Sequence, residues 1–111
     1  MKTEELIERS KRGQLRFQEV LDHIALNYEY RPAAFQNGSL KNSEAENQGS
    51  AKLFYFARLN HLTEEDTLRL FAEHYQNVLD NPAGEGHQNI RQFMVNGWDG
   101  VVFEQDVLIS K

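Results

Sequence analysis

Apolar residues recur at helical spacing along most of this chain. Phe17, Val20, Leu21, Ile24 and Tyr28 fall three or four positions apart and define one buried stripe of a helix. Pro32 biases Arg31 away from helical geometry, so this helix is expected to stop near Tyr28 to Tyr30. A shorter helix over about residues 3–12 precedes it, with Thr3 as N-cap, Leu6 and Ile7 as its strong apolar anchors, and Gly13 ending it. Leu53, Phe54, Phe56, Ala57 and Leu59 make a third helix apolar round most of its surface, with Ser50 as its N-cap. Such a helix belongs at the centre of a fold. Thr63 with Asp66 reads as a variant capping box. It opens a helix whose stripe is Leu68, Phe71, Tyr75, Val78 and Leu79 and which ends at Asn81-Pro82. After an AGEG stretch, a fifth helix from about His87 carries Ile90, Phe93 and Met94 and closes on Asn96-Gly97. Trp98 is expected to pack back onto the core.

Two regions break the helical pattern. From Ala33 to Ser50 the chain is polar and almost free of core residues, and Asn37-Gly38 is the favoured pair for a type I′ turn. Near the C-terminus Val101, Phe103, Val107 and Ile109 alternate with other residues, predicting a strand or small hairpin that turns near Glu104 to Asp106. The pattern therefore predicts a mainly α fold with a small β element (α+β). About five helices surround one core, with an NG hairpin or loop near 33–50 and a C-terminal strand or hairpin near 101–109. The 111 residues suffice for a single domain, 1–111, and not for two cores.

Composition narrows the chemistry. There are no cysteines, which rules out disulfides, thiolate metal sites and thiol catalysis. Net charge is −5 and unevenly spread. Residues 1–31 balance six basic against six acidic side chains, whereas residues 61–111 carry three basic and nine acidic ones. The acidic C-terminal half would repel a phosphate backbone, so no nucleic-acid partner is expected. No apolar run approaches the roughly 18 residues of a membrane span, so no membrane partner is expected either. The start MKTEELIERSKR lacks an apolar signal core, making the cytoplasm the expected compartment.

Two polar segments hold the candidate chemistry. Asn47-Gln48-Gly49-Ser50-Ala51-Lys52 places glycine, serine and lysine at the mouth of a helix, where free N–H groups and the dipole favour an anion. The P-loop spacing is absent, and a glycine hinge before a serine N-cap with a solvated Lys52 explains the same residues. His87-Gln88-Asn89-Ile90-Arg91 puts His87 and Arg91 on one helix face. The pair suits proton transfer and carboxylate or phosphate binding, or equally a helix cap with an ion pair. His74 lies beside the stripe residue Tyr75. His23 shares a face with Glu19 without a second pair to complete a metal site, and HExxH is absent, so no metal or cofactor is expected.

The stretches NYEYRPAAFQNG, ENQGSAKLFYFARL, TLRLFAEHY and GHQNIRQFMVNGWDGVVFE, in this order and spacing, resemble the HopJ type III effector protein family from about Phe17 to Glu104. The resemblance implies a fold and a bacterial family label, and it implies no catalytic mechanism. Family members often carry glycine at the position of Glu46 and cysteine at that of Ala51. The family name also implies secretion into a host cell. Secretion signals of that type are serine-rich and acid-poor, whereas this chain starts with Glu4, Glu5 and Glu8 and a single Ser10.

The leading expectation is a non-enzymatic binding or interaction module. Its polar surface would combine the 33–50 loop with the 87–91 helix start, using Asn37, Asn47, Ser50, Lys52, Asn89 and Arg91. The alternative is a small enzyme or metabolite binder for an anionic ligand, with His87 as the candidate catalytic group and Lys52 and Arg91 converging on its pocket. A third reading, a secreted effector, follows from the family name. The partner is an unidentified protein or a small anion, and the oligomeric state stays open.

Overall fold

The computed structural model describes residues 2–111. Among them are six α-helices: α1 Thr3–Lys11, α2 Phe17–Asn27, α3 Gln48–Leu59, α4 Glu64–Arg69, α5 Glu73–Asp80 and α6 Gln88–Asn96. A 3-10 helix over Gly97–Gly100 and five three-residue strands complete the elements: β1 Tyr28–Tyr30, β2 Phe35–Asn37, β3 Leu40–Asn42, β4 Val101–Phe103 and β5 Leu108–Ser110. The α+β class and its single core are as the apolar pattern predicts.

α3 is the central helix. Ala51, Leu53, Phe54, Phe56 and Ala57 are all buried, and the Phe54 ring meets Phe35, Phe71, Phe93 and Trp98 at centroid distances of 4.9–6.4 Å. Aromatic rings meeting edge-on or tilted bury large area and add quadrupole attraction. The caps differ from expectation in two places. The N-cap of α1 is Lys2, with Thr3 already helical, and that of α3 is Asn47, which moves Ser50 to the third helical position. At α4 the expected cap is present, Thr63 Oγ1 accepting from the Asp66 N–H at 3.0 Å.

The single helix expected over 63–81 is broken at Leu70–Ala72. Ala72 adopts φ 54°, ψ −120°, unusual for a residue with a side chain. At the break, adjacent Leu70 and Phe71 both enter the core, 0% and 2% exposed. It also brings the Glu73 carboxylate to the open start of α2, where it accepts from the Phe17 N–H at 2.7 Å. Leu59, Leu79 and Met94, placed on the apolar stripes, are each more than 40% exposed.

The C-terminal hairpin is likewise replaced. β4 joins β2 in a three-stranded antiparallel sheet of order β3–β2–β4, and β5 pairs separately with β1. The connector between them buries Val107 against the core, and in β5 Leu108 is buried while Ile109 is half-exposed. The β2–β3 hairpin exists, but Asn37 pairs with Leu40, so the two turn residues are Gly38-Ser39 and not Asn37-Gly38. Gly38 alone has a positive φ, the pattern of a II′ turn. The one-residue shift turns the Asn37 side chain into the interior.

Candidate functional site

The two polar segments do meet, in two different ways. Inside the molecule the side chains of Asn37, Asn42 and Asn89 are 0%, 3% and 5% exposed and bond to one another. Asn37 Nδ2 donates to the Asn89 carbonyl at 2.8 Å and to Asn89 Oδ1 at 3.0 Å. Asn89 Nδ2 donates to Asn42 Oδ1 at 3.1 Å, and Asn47 Nδ2 reaches the same oxygen at 2.7 Å. Buried amides are costly unless paired, so this cluster pins the hairpin to the start of α6. Gln48 ties down the rest of the loop, accepting from the Tyr30 hydroxyl and donating to the carbonyls of Ala33, Ser43 and Glu46.

Beside the cluster, residues 47–50 and 87–90 form opposite walls of a cleft of about 500 Å³. Its apolar lining comes from Leu40, Ile90, Phe17 and Phe71, and its polar rim from Ser50, His74, His87 and Gln88. An aromatic file runs along one side. Phe71 stacks on Phe17 at 5.6 Å, Phe17 meets His74 edge-on at 5.1 Å, and His74 meets His87 at 5.0 Å. At Gly49 a Cβ would stand 3.3 Å from the Phe17 ring, so glycine lets the start of α3 approach this file closely.

Among the described residues, the only ionisable groups lining the cleft are the two histidines. Desolvation first, then the charges of His74 and Arg91, hold His87 below the ordinary imidazole value. The helices on both walls start from left-handed residues, Asn47 at φ 51° and His87 at φ 55°, and neither start carries a side-chain cap. Non-glycine residues in this region are uncommon and store strain.

The expected site residues therefore divide. Ser50, His87 and Asn47 line the cleft, and Asn89 forms part of its base. Asn37 and Asn89 are interior, which corrects their expected place on an exposed recognition surface: the Asn37 amide N–H donates to Asn89, and the Asn89 amide bonds to Asn37 and Asn42. Lys52 lies with Nζ 4.2 Å from the Tyr30 ring centroid, away from the cleft. Arg91 donates to the carbonyls of Gly86, Pro82 and Asn81 at 2.6, 3.2 and 2.9 Å, closing the loop between α5 and α6. The expected convergence of Lys52, His87 and Arg91 on one pocket does not occur, because both cations have partners elsewhere. The sequence pattern does not mark His74, Asn42 or Gln48 as parts of a site. His74 follows the break at Ala72, which no glycine or proline announces.

Fold and cleft together define a small α+β domain with a ligand-sized, histidine-rimmed cleft beside an asparagine-locked hairpin. The chain belongs to the HopJ type III effector protein family, whose model matches residues 3–108. It is similar to a solved structure, the crystal structure of the unknown function protein VPA0580, with a TM-score of 0.91 and 39% identity over 100% of this chain and 95% of that one. No curated protein matches the chain significantly. No helix among the described residues is long and apolar enough to cross a membrane.

Proposed function

We propose that this HopJ-family domain is a non-enzymatic binding module whose recognition site is the cleft between residues 47–50 and 87–90. The observation that carries the reading is the meeting of these two segments around one concavity with His74 and His87 on its rim. A volume of about 500 Å³ lies within the range of small-molecule sites, and an apolar lining with a few convergent polar groups is the composition such sites have. A flat protein-recognition surface built on Asn37 and Asn89 is less well supported, since both side chains face inward. Catalysis is also less well supported, because the cations that would hold a substrate beside His87 are engaged elsewhere.

The test is a fragment screen read by amide chemical shifts of the native chain, repeated on Ser50→Trp, which fills the cleft from a half-buried helical position. Hits should perturb residues 47–50, 71–74 and 87–90 and lose affinity in the variant. A hit that binds Ser50→Trp as tightly as the native chain would move the site elsewhere.

A further inference from the structure

We infer that the cleft selects an organic carboxylate with an apolar body, seats the carboxylate against His74 and His87, and captures it in an acid-dependent way. The inference deepens the binding reading above and rests on it. Its ground is the pairing of two imidazoles 5.0 Å apart with a lining that holds no other ionisable group among the described residues.

Within the lining the imidazoles are the only ionisable groups, and Glu73 and Arg91 act on them from outside it. With both neutral, the cleft has hydrogen-bonding nitrogens and an apolar lining. On acidification it becomes positive without any lysine or arginine in the lining. A carboxylate matches this charge. Tight capture of a phosphate dianion uses arginine forks or a lysine, and none lines the cleft. The apolar lining of Phe17, Phe71, Leu40 and Ile90 requires that the acid bring a body able to cover it. The uncapped helix starts add favourable potential, but the imidazole pair is the decisive feature.

Two charged groups flank the pair from outside the lining, Glu73 beside His74 and Arg91 beside His87. From the start of α3 come Asn47, Gly49 and Ser50, and from β3 Leu40, none of them ionisable. On α5, Glu73 precedes His74 and interacts with its charge, while its carboxylate accepts from the Phe17 N–H with Arg16 nearby. On α6, the Arg91 guanidinium is held by three carbonyls. Desolvation, then the charges of His74 and Arg91, favour the neutral state of His87 in the empty cleft. A carboxylate between the rings reverses that preference. Each unit by which it raises an imidazole pKa corresponds to tenfold tighter binding at the acid limit than at the alkaline one.

The probe is benzoate, with benzamide as its neutral counterpart, titrated into the full chain at about pH 5.5 and about pH 8, on either side of the imidazole range. Amide shifts and the imidazole resonances of all four histidines are followed. The expected result is roughly tenfold or more tighter benzoate binding at the lower pH. The His87 resonances should titrate at higher pH in its presence, the His74 resonances should move on its addition, and benzamide binding should not depend on pH. His87→Asn keeps a residue that tolerates the left-handed backbone. That variant and His74→Gln should each shrink the benzoate pH ratio, and the resonances of the native chain decide the same question should either variant fold poorly. If benzoate and benzamide both bind the cleft with no pH dependence, the acid-selective inference is overturned and the cleft reading stands. If neither perturbs the cleft at either pH, both are overturned.

Discussion

The asparagine cluster and the histidine cleft share Asn47 and Asn89 and draw on the same two polar segments, yet they use polarity in opposite ways. In the cluster, amides from β2, β3 and α6 answer each other inside the protein, and the only buried side-chain polar atom left without a partner among the described residues is Asn37 Oδ1. In the cleft, Ser50, His74 and His87 face a concavity, and among the described residues no hydrogen bond to another protein group engages their side chains. Polar residues concentrated in a loop thus mark two things at once, a lock and a site. Burial separates them, because an amide removed from water must find a protein partner and a rim residue need not.

The contrast is broken most directly at Asn89. Asn89→Ala removes the side-chain acceptor shared by Asn37 and Asn42 and the donor to Asn42, leaving Asn37 with the Asn89 backbone carbonyl alone and Asn42 Nδ2 with a long bond to the Phe35 carbonyl. A loss of about 2–3 kcal/mol in denaturant unfolding is expected. A change below about 0.5 kcal/mol would mean that the cluster is no lock. Gly38→Ala comes next. Gly38 holds φ +60°, and a Cβ there would collide with the side-chain ends of Gln92 and Asn96, so a loss of about 1–2 kcal/mol is expected in the same experiment. Ser50→Ala is the counterpart in the cleft, with a change within about 0.5 kcal/mol, since no hydrogen bond to the protein is lost.

Much of this architecture is legible in the sequence because its signals are local. The stripe of α2 is written in Val20 and Ile24, the centrality of α3 in Phe54 and Phe56, and the start of α4 in Thr63. What escapes is set by distant partners. The turn at Gly38-Ser39 departs from the Asn-Gly rule because Asn37 gains more from Asn89, 52 residues away, than from a turn position. The break at Ala72 lies next to the buried Leu70 and Phe71 and is marked by no local signal, since tertiary packing overrides helix propensity there. Of the candidate site, the segments are readable and the side-chain roles are not. Lys52 and Arg91 look like ligand-binding cations in sequence, and only the fold supplies the Tyr30 ring and the loop carbonyls that engage them.

Lys52 offers a finer test. Its ammonium over Tyr30 is worth about 0.5–1 kcal/mol at a surface position, so Lys52→Ala should lower stability by no more than that. Ligand binding in the cleft should be unchanged. A tenfold loss of affinity for a carboxylate probe would bring Lys52 back into the site and remove the distinction between residues that line the cleft and residues that merely neighbour it.

The smallest effect is the sharpest discriminator of sign. In the empty protein His87 titrates below its ordinary value, so the unfolded chain takes up the proton first as pH falls. The stability linked to His87 is therefore complete above about pH 6.5 and is lost as pH drops through the lower folded value. His23, also held low by desolvation, contributes in the same direction, so the measurement is the difference between the native chain and His87→Asn across that window. The native chain should lose slightly more stability on acidification than the variant. With benzoate saturating the cleft the difference should change sign, because a carboxylate beside His87 makes the folded state the better proton acceptor. A locked, purely structural His87 would give the same slope with and without the acid, and the cleft would then differ from the asparagine cluster in exposure alone.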